Sequence, residues 1–233
     1  MRKLIVIFIL LIFAIIVFNK QLISKYYSYK FSKWVERKVT FDNFEIKYPN
    51  SVSVTGIKIL NSNSNSNSNS NYYENIFEAQ KIDINFNLKS LLFDELIVIN
   101  DLRIESPKIF LEIIEKNPKL DKSIENSKIT YEDNIGIAKK IYENLPDKIW
   151  PEKKRDINFV ILKSNISEGR AFIKVSSIEK SFEILMSDME FFTFGNKKEH
   201  QHYKNILKII FFDIIASAKD FRLKRLLIEI YKL

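Results

Sequence analysis

The sequence predicts an α+β protein: an N-terminal transmembrane helix, then a twisted, mainly antiparallel and groove-like β-sheet, closed by a packed C-terminal helix. Three observations predict it. Leu4 to Phe18 is an unbroken run of fifteen apolar residues. The centre of the chain alternates apolar and polar residues at period 2, as Ile82, Ile84, Phe86 and Leu88 do around Asp83, Asn85 and Asn87. From Tyr203 onward the spacing is helical.

The N-terminal run covers roughly 22 Å as a helix, short of the roughly 30 Å hydrocarbon core. Asn19, Leu22 and Ile23 extend it, and flanking lysines can snorkel. Leu4, Ile9, Phe13 and Phe18 are the anchor positions, with Trp34 in an interfacial aromatic belt. A cleaved signal peptide is the alternative; the bulky, charged residues after Phe18 offer no small-residue cleavage site. Residues 1–24 are therefore read as a transmembrane anchor and 25–38 as a juxtamembrane helix. The lysines after the run outnumber Arg2 and Lys3, and charge bias alone would leave the main domain in the cytoplasm.

Residues 39–115 read as a first sheet half. Val39 to Tyr48 and Val52 to Leu60 are strands joined at Pro49, with Gly56 placed as a bulge would be. The Asn/Ser repeat over 61–71 contains no apolar residue to bury and is expected to be a disordered loop. Leu96 to Ile99 is apolar on both faces, and Leu102, Ile104, Ile109, Leu111 and Ile113 continue the pattern. Residues 116–155 read as a linker with a short helix after Asp133. Residues 156–233 read as a second sheet half and the C-terminal helix.

Because alternate strand residues share a face, Ile82, Ile84 and Phe86 line one concave apolar strip. A pair from the next strand (Leu96/Val98 or Ile97/Ile99) and then Ile104 and Ile109 continue it. Leu96 and Val98 are carried as the candidates. The alternative is ordinary burial beneath the C-terminal helix.

Composition excludes much chemistry. With no cysteine there is no disulfide, thiolate nucleophile or thiolate metal site. The four glycines stand alone, so no phosphate-cradling loop or dinucleotide fingerprint can be written. His200 and His202 lack companion ligands, and no base sits beside a nucleophile. No enzyme, metal or cofactor is expected. The net charge of +8 asks for an acidic partner, but its basic residues match no nucleic-acid module and the one cluster follows the apolar run, so nucleic acid is not expected.

The order and spacing of several segments resembles the AsmA family, in particular its small single-pass members with a repeating β-groove of the bridge-like lipid-transfer type. These segments are the apolar N-terminus, Val54 to Ile59, Phe77 to Ile84, Leu88 to Leu92, and Leu96 to Pro107. Ser167 to Ala171 and Ser187 to Met189 follow in the second half. The resemblance implies an inner-membrane protein with its sheet in the periplasm, outer-membrane biogenesis, and phospholipid as the partner of the strip. A second reading is a membrane-tethered scaffold whose sheet edge recruits an envelope protein.

Overall fold

The structure is a computed structural model and describes residues 24–33, 35, 37–61, 73–94, 96–116, 130–133, 158–176, 178–197 and 199–231. A helix over residues 24–33 (α1) comes first. The strands β1 (Val39–Thr40), β2 (Asn43–Lys47), β3 (Ser51–Leu60) and β4 (Asn75–Phe86) follow, and then the short helix α2 (Leu88–Phe93). Next come β5 (Leu96–Glu105), β6 (Lys108–Lys116), β7 (Thr130–Asp133), β8 (Asn158–Ser167) and β9 (Arg170–Val175). The chain ends with β10 (Ile178–Leu185), β11 (Met189–Gly195), β12 (Gln201–His202), α3 (Tyr203–Ser217) and α4 (Phe221–Tyr231).

These findings correct the expected fold class. The protein is mostly β-sheet with a few helices, and no helix among the described residues is long and apolar enough to cross a membrane. The expected N-terminal transmembrane helix therefore has no support. Leu4, Ile9, Phe13, Phe18 and Trp34, named as anchor positions, lie outside the described residues. So do most of the expected linker and its short helix, although Asp133, expected as that helix's cap, ends β7. The closing helix is two helices, because Ala218 to Asp220 leaves the helical path and Asp220 caps α4 by accepting from the Arg222 and Leu223 amides.

One sheet joins the two expected halves, and it is less antiparallel than the hairpin signals suggest. β3 pairs antiparallel with β4, and β4 pairs along its other edge with β5 and then β6. β8 lies parallel to β5, and β9 parallel to β6. β11 and β10 pair antiparallel with β8 and β9. The pairs β5/β6, β8/β9 and β11/β10 thus run as three long strands, each interrupted at mid-length.

The interruptions lie on one line across the sheet: Gly56 in β3, Gln80 in β4, Ser106-Pro107, Glu168-Gly169, and Ser187-Asp188. Gly56, Ser106 and Glu168 have positive φ, 61°, 48° and 56°. One left-handed residue in an extended chain turns the following side chains to the other face. Apolar residues before and after the line, at odd separations in sequence, are thereby gathered on one face: Ile82 with Ala79, Ile104 with Ile109, Ile166 with Ala171, Met189 with Met186. Because all strands break together the register carries through: Lys81 pairs with Glu105 and Glu78 with Lys108. Polar contacts hold the line, with the Ser106 hydroxyl donating to Glu168 Oε2 at 2.8 Å and the Glu168 amide to Asp188 Oδ1 at 2.9 Å.

Near the line of breaks the opposite face carries paired charges. Lys81 sits 2.5 Å from Asp83 and 3.5 Å from Glu105, Arg103 sits 2.7 Å from Asp101, and Lys163 sits 2.5 Å from Glu190. Burial works to raise the Asp83 carboxyl, but hydrogen bonds from Lys81 and Ser53 and the charges of Lys81 and Lys47 together hold it below its ordinary value.

Two predictions follow from this arrangement. An added Cβ at Gly56 would stand 2.0 Å from Asp42 Oδ2 with φ at +61°, so Gly56→Ala should cost at least about 1–2 kcal/mol in chemical denaturation. Gly169→Ala, which meets only the flexible Met186 side chain at 3.1 Å or more and has no positive φ, should cost less; equal losses would show that the break at Gly56 is not conformationally required. Asp83 contributes stability that is full above its unfolded value and drains as pH falls through the lower folded value. Asp83→Asn should therefore lower the melting temperature near neutral pH, and the gap to the parent should close in strong acid; a constant gap across that range would refute the pairing.

Candidate functional site

Among the described residues, the feature that stands out is apolar. Three rows of side chains cross the sheet between the line of breaks and its α2 end. The first is Phe44, Val54, Ile82, Ile104, Ile166 and Met189. The second is Ile46, Val52, Ile84, Leu102, Ser164 and Phe191. The third is Phe86, Ile99, Ile161 and Phe194.

Both flanks of the first row are covered, while Ile46 at one end of the second is exposed. On one side α1 lies over Phe44, with the Tyr27 ring stacked on it at 4.4 Å, and Ser28 and Ser32 hydrogen-bond to the Val39 carbonyl. On the other side Ile206 of α3 packs with Ile161, Ile166, Phe191 and Phe194. Between the flanks, Ile82, Ile84 and Phe86 of β4 and Ile99, Leu102 and Ile104 of β5 are only half-buried. They form an apolar lane two strands wide. Leu207 sits in the sheet-facing stripe of α3, four residues before Phe211 and seven before Ile214, yet is 40% exposed.

The lane opens at the α2 end of the sheet. The Asn50 side chain donates to the Phe86 carbonyl at 2.9 Å and the Phe86 amide donates to the Asn50 carbonyl at 2.8 Å, binding the β2–β3 turn to this end. Ser90 binds α2 there too, accepting from the Val98 amide at 2.9 Å. Tyr48 on that turn and Leu92 and Phe93 on α2 are 95%, 67% and 80% exposed, and Ile46 is 59% exposed. A soluble surface seldom presents so many large apolar side chains together without a partner for them.

The structure places Ile82, Ile84, Phe86 and Ile104 on neighbouring strands in register. Ile109 lies beyond the line of breaks, packed against the larger core beneath α3 and α4. Leu96 and Val98 are corrected: β5 carries one extra residue, Asn100, against β4, so Phe86 pairs with Ile99, and Ile97 and Ile99 face the lane while Leu96 and Val98 face away. Val52 and Leu102 were missed, though both follow once the register is known.

Other candidates hold less. His202 caps α3 by accepting from the Lys204 amide at 3.3 Å, its ring 4.5 Å from that of Tyr203. Among the described residues no group of three or more His, Cys, Asp or Glu is placed to hold a metal. On the polar face an open depression of about 400 Å³ is lined by Arg103, Glu105, Lys163, Asn165, Asp188 and Glu190, with Ser167 and Met189; its charges are of both signs, and Lys163 already pairs with Glu190.

Sequence reasoning also missed a buried polar knot at the root of the Asn/Ser tract. Asn61 is buried, donating its amide to the Glu74 carbonyl at 2.8 Å and its side chain to the Tyr73 carbonyl at 3.4 Å. The Tyr73 amide donates to Glu112, which is also buried, and the Tyr73 ring lies 5.1 Å from Phe110. Burial pushes the Glu112 carboxyl above its ordinary value of 4.5, against the lowering pull of the Tyr73 amide, the Lys174 charge and the Asn61 side chain. Asn61, the first residue of the tract, is thus tied down at the end of β3; residues 62–71 lie outside the described residues.

Comparison with known protein families, with curated proteins and with solved structures finds no match to this chain.

For Glu112 the sign is opposite to that of Asp83. The folded protein holds its proton more tightly than the unfolded chain does, so stability falls as pH rises from about the ordinary value through the raised one, and then levels. Glu112→Gln keeps an acceptor for the Tyr73 amide and removes the buried charge. It should be neutral or stabilising at neutral pH, and should flatten stability on the acid-to-neutral side; a loss of more than about 1 kcal/mol at neutral pH would show that the charge itself is needed.

Proposed function

We propose that the protein handles phospholipid acyl chains along the β4–β5 lane, as an AsmA-like protein of the bacterial envelope working on the periplasmic side of the inner membrane. The observation that carries this reading is the lane itself. Six apolar residues in register lie half-open between α1 over Phe44 and α3 over β8 and β11, and they lead to an exposed apolar end at Tyr48, Leu92 and Phe93. Fully burying each such side chain is worth roughly 1.5–3 kcal/mol, so an acyl chain laid along the lane recovers stabilisation that the fold leaves unused. An acyl chain needs no polar site to hold it, and the six residues that form the lane are all apolar. The opposite face, with its paired charges, suits water.

A second reading is a scaffold that recruits an envelope protein by strand addition. It is favoured by β10, which lies at the sheet margin, and by β11, whose outer edge β12 covers only at Phe194 and Gly195; Leu185 and Phe192 are exposed there.

Lipid extraction and mass spectrometry of the purified protein distinguish the two. The parent should carry phospholipid in stoichiometric amounts. Ile84→Asp and Leu102→Asp should lose it and still unfold cooperatively, whereas Phe192→Asp at the margin should retain it. Lipid content unchanged in folded lane variants would sink the acyl-lane reading, and a partner captured by the parent but lost with Phe192→Asp would favour the scaffold.

A further inference from the structure

We infer that the outward side of the α3–α4 pair docks on an anionic lipid bilayer. The two helices have used their inward sides: Phe211, Ile214 and Ile215 of α3 and Leu223, Leu227 and Ile230 of α4 are buried in one core with β6, β9 and β10. Outward, Ile209 and Phe212 on α3 and Phe221 and Ile228 on α4 are exposed, Phe221 at 77%. A helix pair that only covered a sheet would carry polar residues at these positions.

The exposed charges beside them are mostly positive. Lys208, Lys219, Arg222 and Arg225 are exposed, and none forms an ion pair with a described residue. The acids nearby are engaged in the fold: Asp213 accepts from the Ser187 amide at 2.9 Å, and Asp220 caps α4. Glu229 is the one exposed carboxylate on the pair. Four cations interleaved with two phenylalanines and two isoleucines match the interface of a bilayer, where the cations meet anionic headgroups and the apolar side chains enter the acyl boundary. Nucleic acid would satisfy the cations and leave the apolar side chains without a use. This surface is on the far side of the helices from the sheet, so the inference does not rest on the acyl-lane reading.

The chain has no cysteine, so one can be introduced as the sole labelling site in the full-length protein. Ala216→Cys lies on the outward side, four residues after Phe212, and is exposed; Lys163→Cys on the polar face is the control. Each is labelled with an environment-sensitive fluorophore and mixed with vesicles of phosphatidylcholine, with or without added phosphatidylglycerol. The label at 216 should shift to the blue on vesicles containing phosphatidylglycerol, and the label at 163 should not. Arg222→Gln with Arg225→Gln should weaken the 216 response on the order of tenfold or more, and Arg222→Lys with Arg225→Lys should restore it. No shift at 216, a shift equal on neutral vesicles and untouched by the glutamine pair, or a shift produced by nucleic acid in place of vesicles would overturn the inference. Retention of co-purified phospholipid by the glutamine pair would leave the acyl-lane reading standing in each of those cases.

Discussion

Everything on the apolar face depends on five strands losing their alternation at the same level. A strand with an unbroken period of two would carry Ile104 and Ile109 to opposite faces, and half the apolar residues of the sheet would turn to water. A single left-handed residue costs roughly 1–2 kcal/mol where it is not glycine, and Ser106 and Glu168 both adopt it. Each break returns several large side chains to the covered face, at roughly 1.5–3 kcal/mol apiece. The exchange favours the break, but only if neighbouring strands break in step, since a lone offset would spoil the pairing on both sides. The hydrogen bonds among Ser106, Glu168 and Asp188 stitch three of those breaks together.

Much of this was legible. Alternation marked β4, and the separation of five between Ile104 and Ile109, spanning Ser106-Pro107, was itself a record of the break. Gly56 reads as a bulge, and it is instead a positive-φ residue at which β3 keeps its register with β4. What could not be read was whatever depends on partners remote in sequence. β5 and β8 are more than fifty residues apart, and no local pattern announces that they run parallel. Leu96 to Ile99 has no period at all, so its facing was settled by Asn100, an extra residue visible only once β4 lies beside it. The buried role of Asn61 was masked by the repeat in which it sits. The apolar N-terminal run drew a transmembrane helix from hydropathy alone, and no helix of the described structure supports one.

The helices make the sheet two-sided in an uneven way. α3 and α4 cover the centre of the β6–β9–β10 region, with Ile173, Val175 and Leu223 almost free of solvent. α1 closes the β2–β3 margin. Between them the same kind of side chain is left half-open, although the fold had the means to cover it: Leu207 points toward the sheet and finds open surface. Cover is therefore distributed by helix placement and not by any change in the composition of the strands beneath.

The knot at Asn61 bears on inheritance. Repeats of this kind gain and lose whole units when a gene is copied, and a unit here is one asparagine with one serine. Removing a unit from the front of the tract slides the next asparagine into the place of Asn61, so the amide that reaches Tyr73 is supplied again by the repeat itself. The length of the β3–β4 connection can then drift from one generation to the next at a cost of only about 0.6 kcal/mol per doubling, while the contact that anchors it to the sheet is rewritten each time.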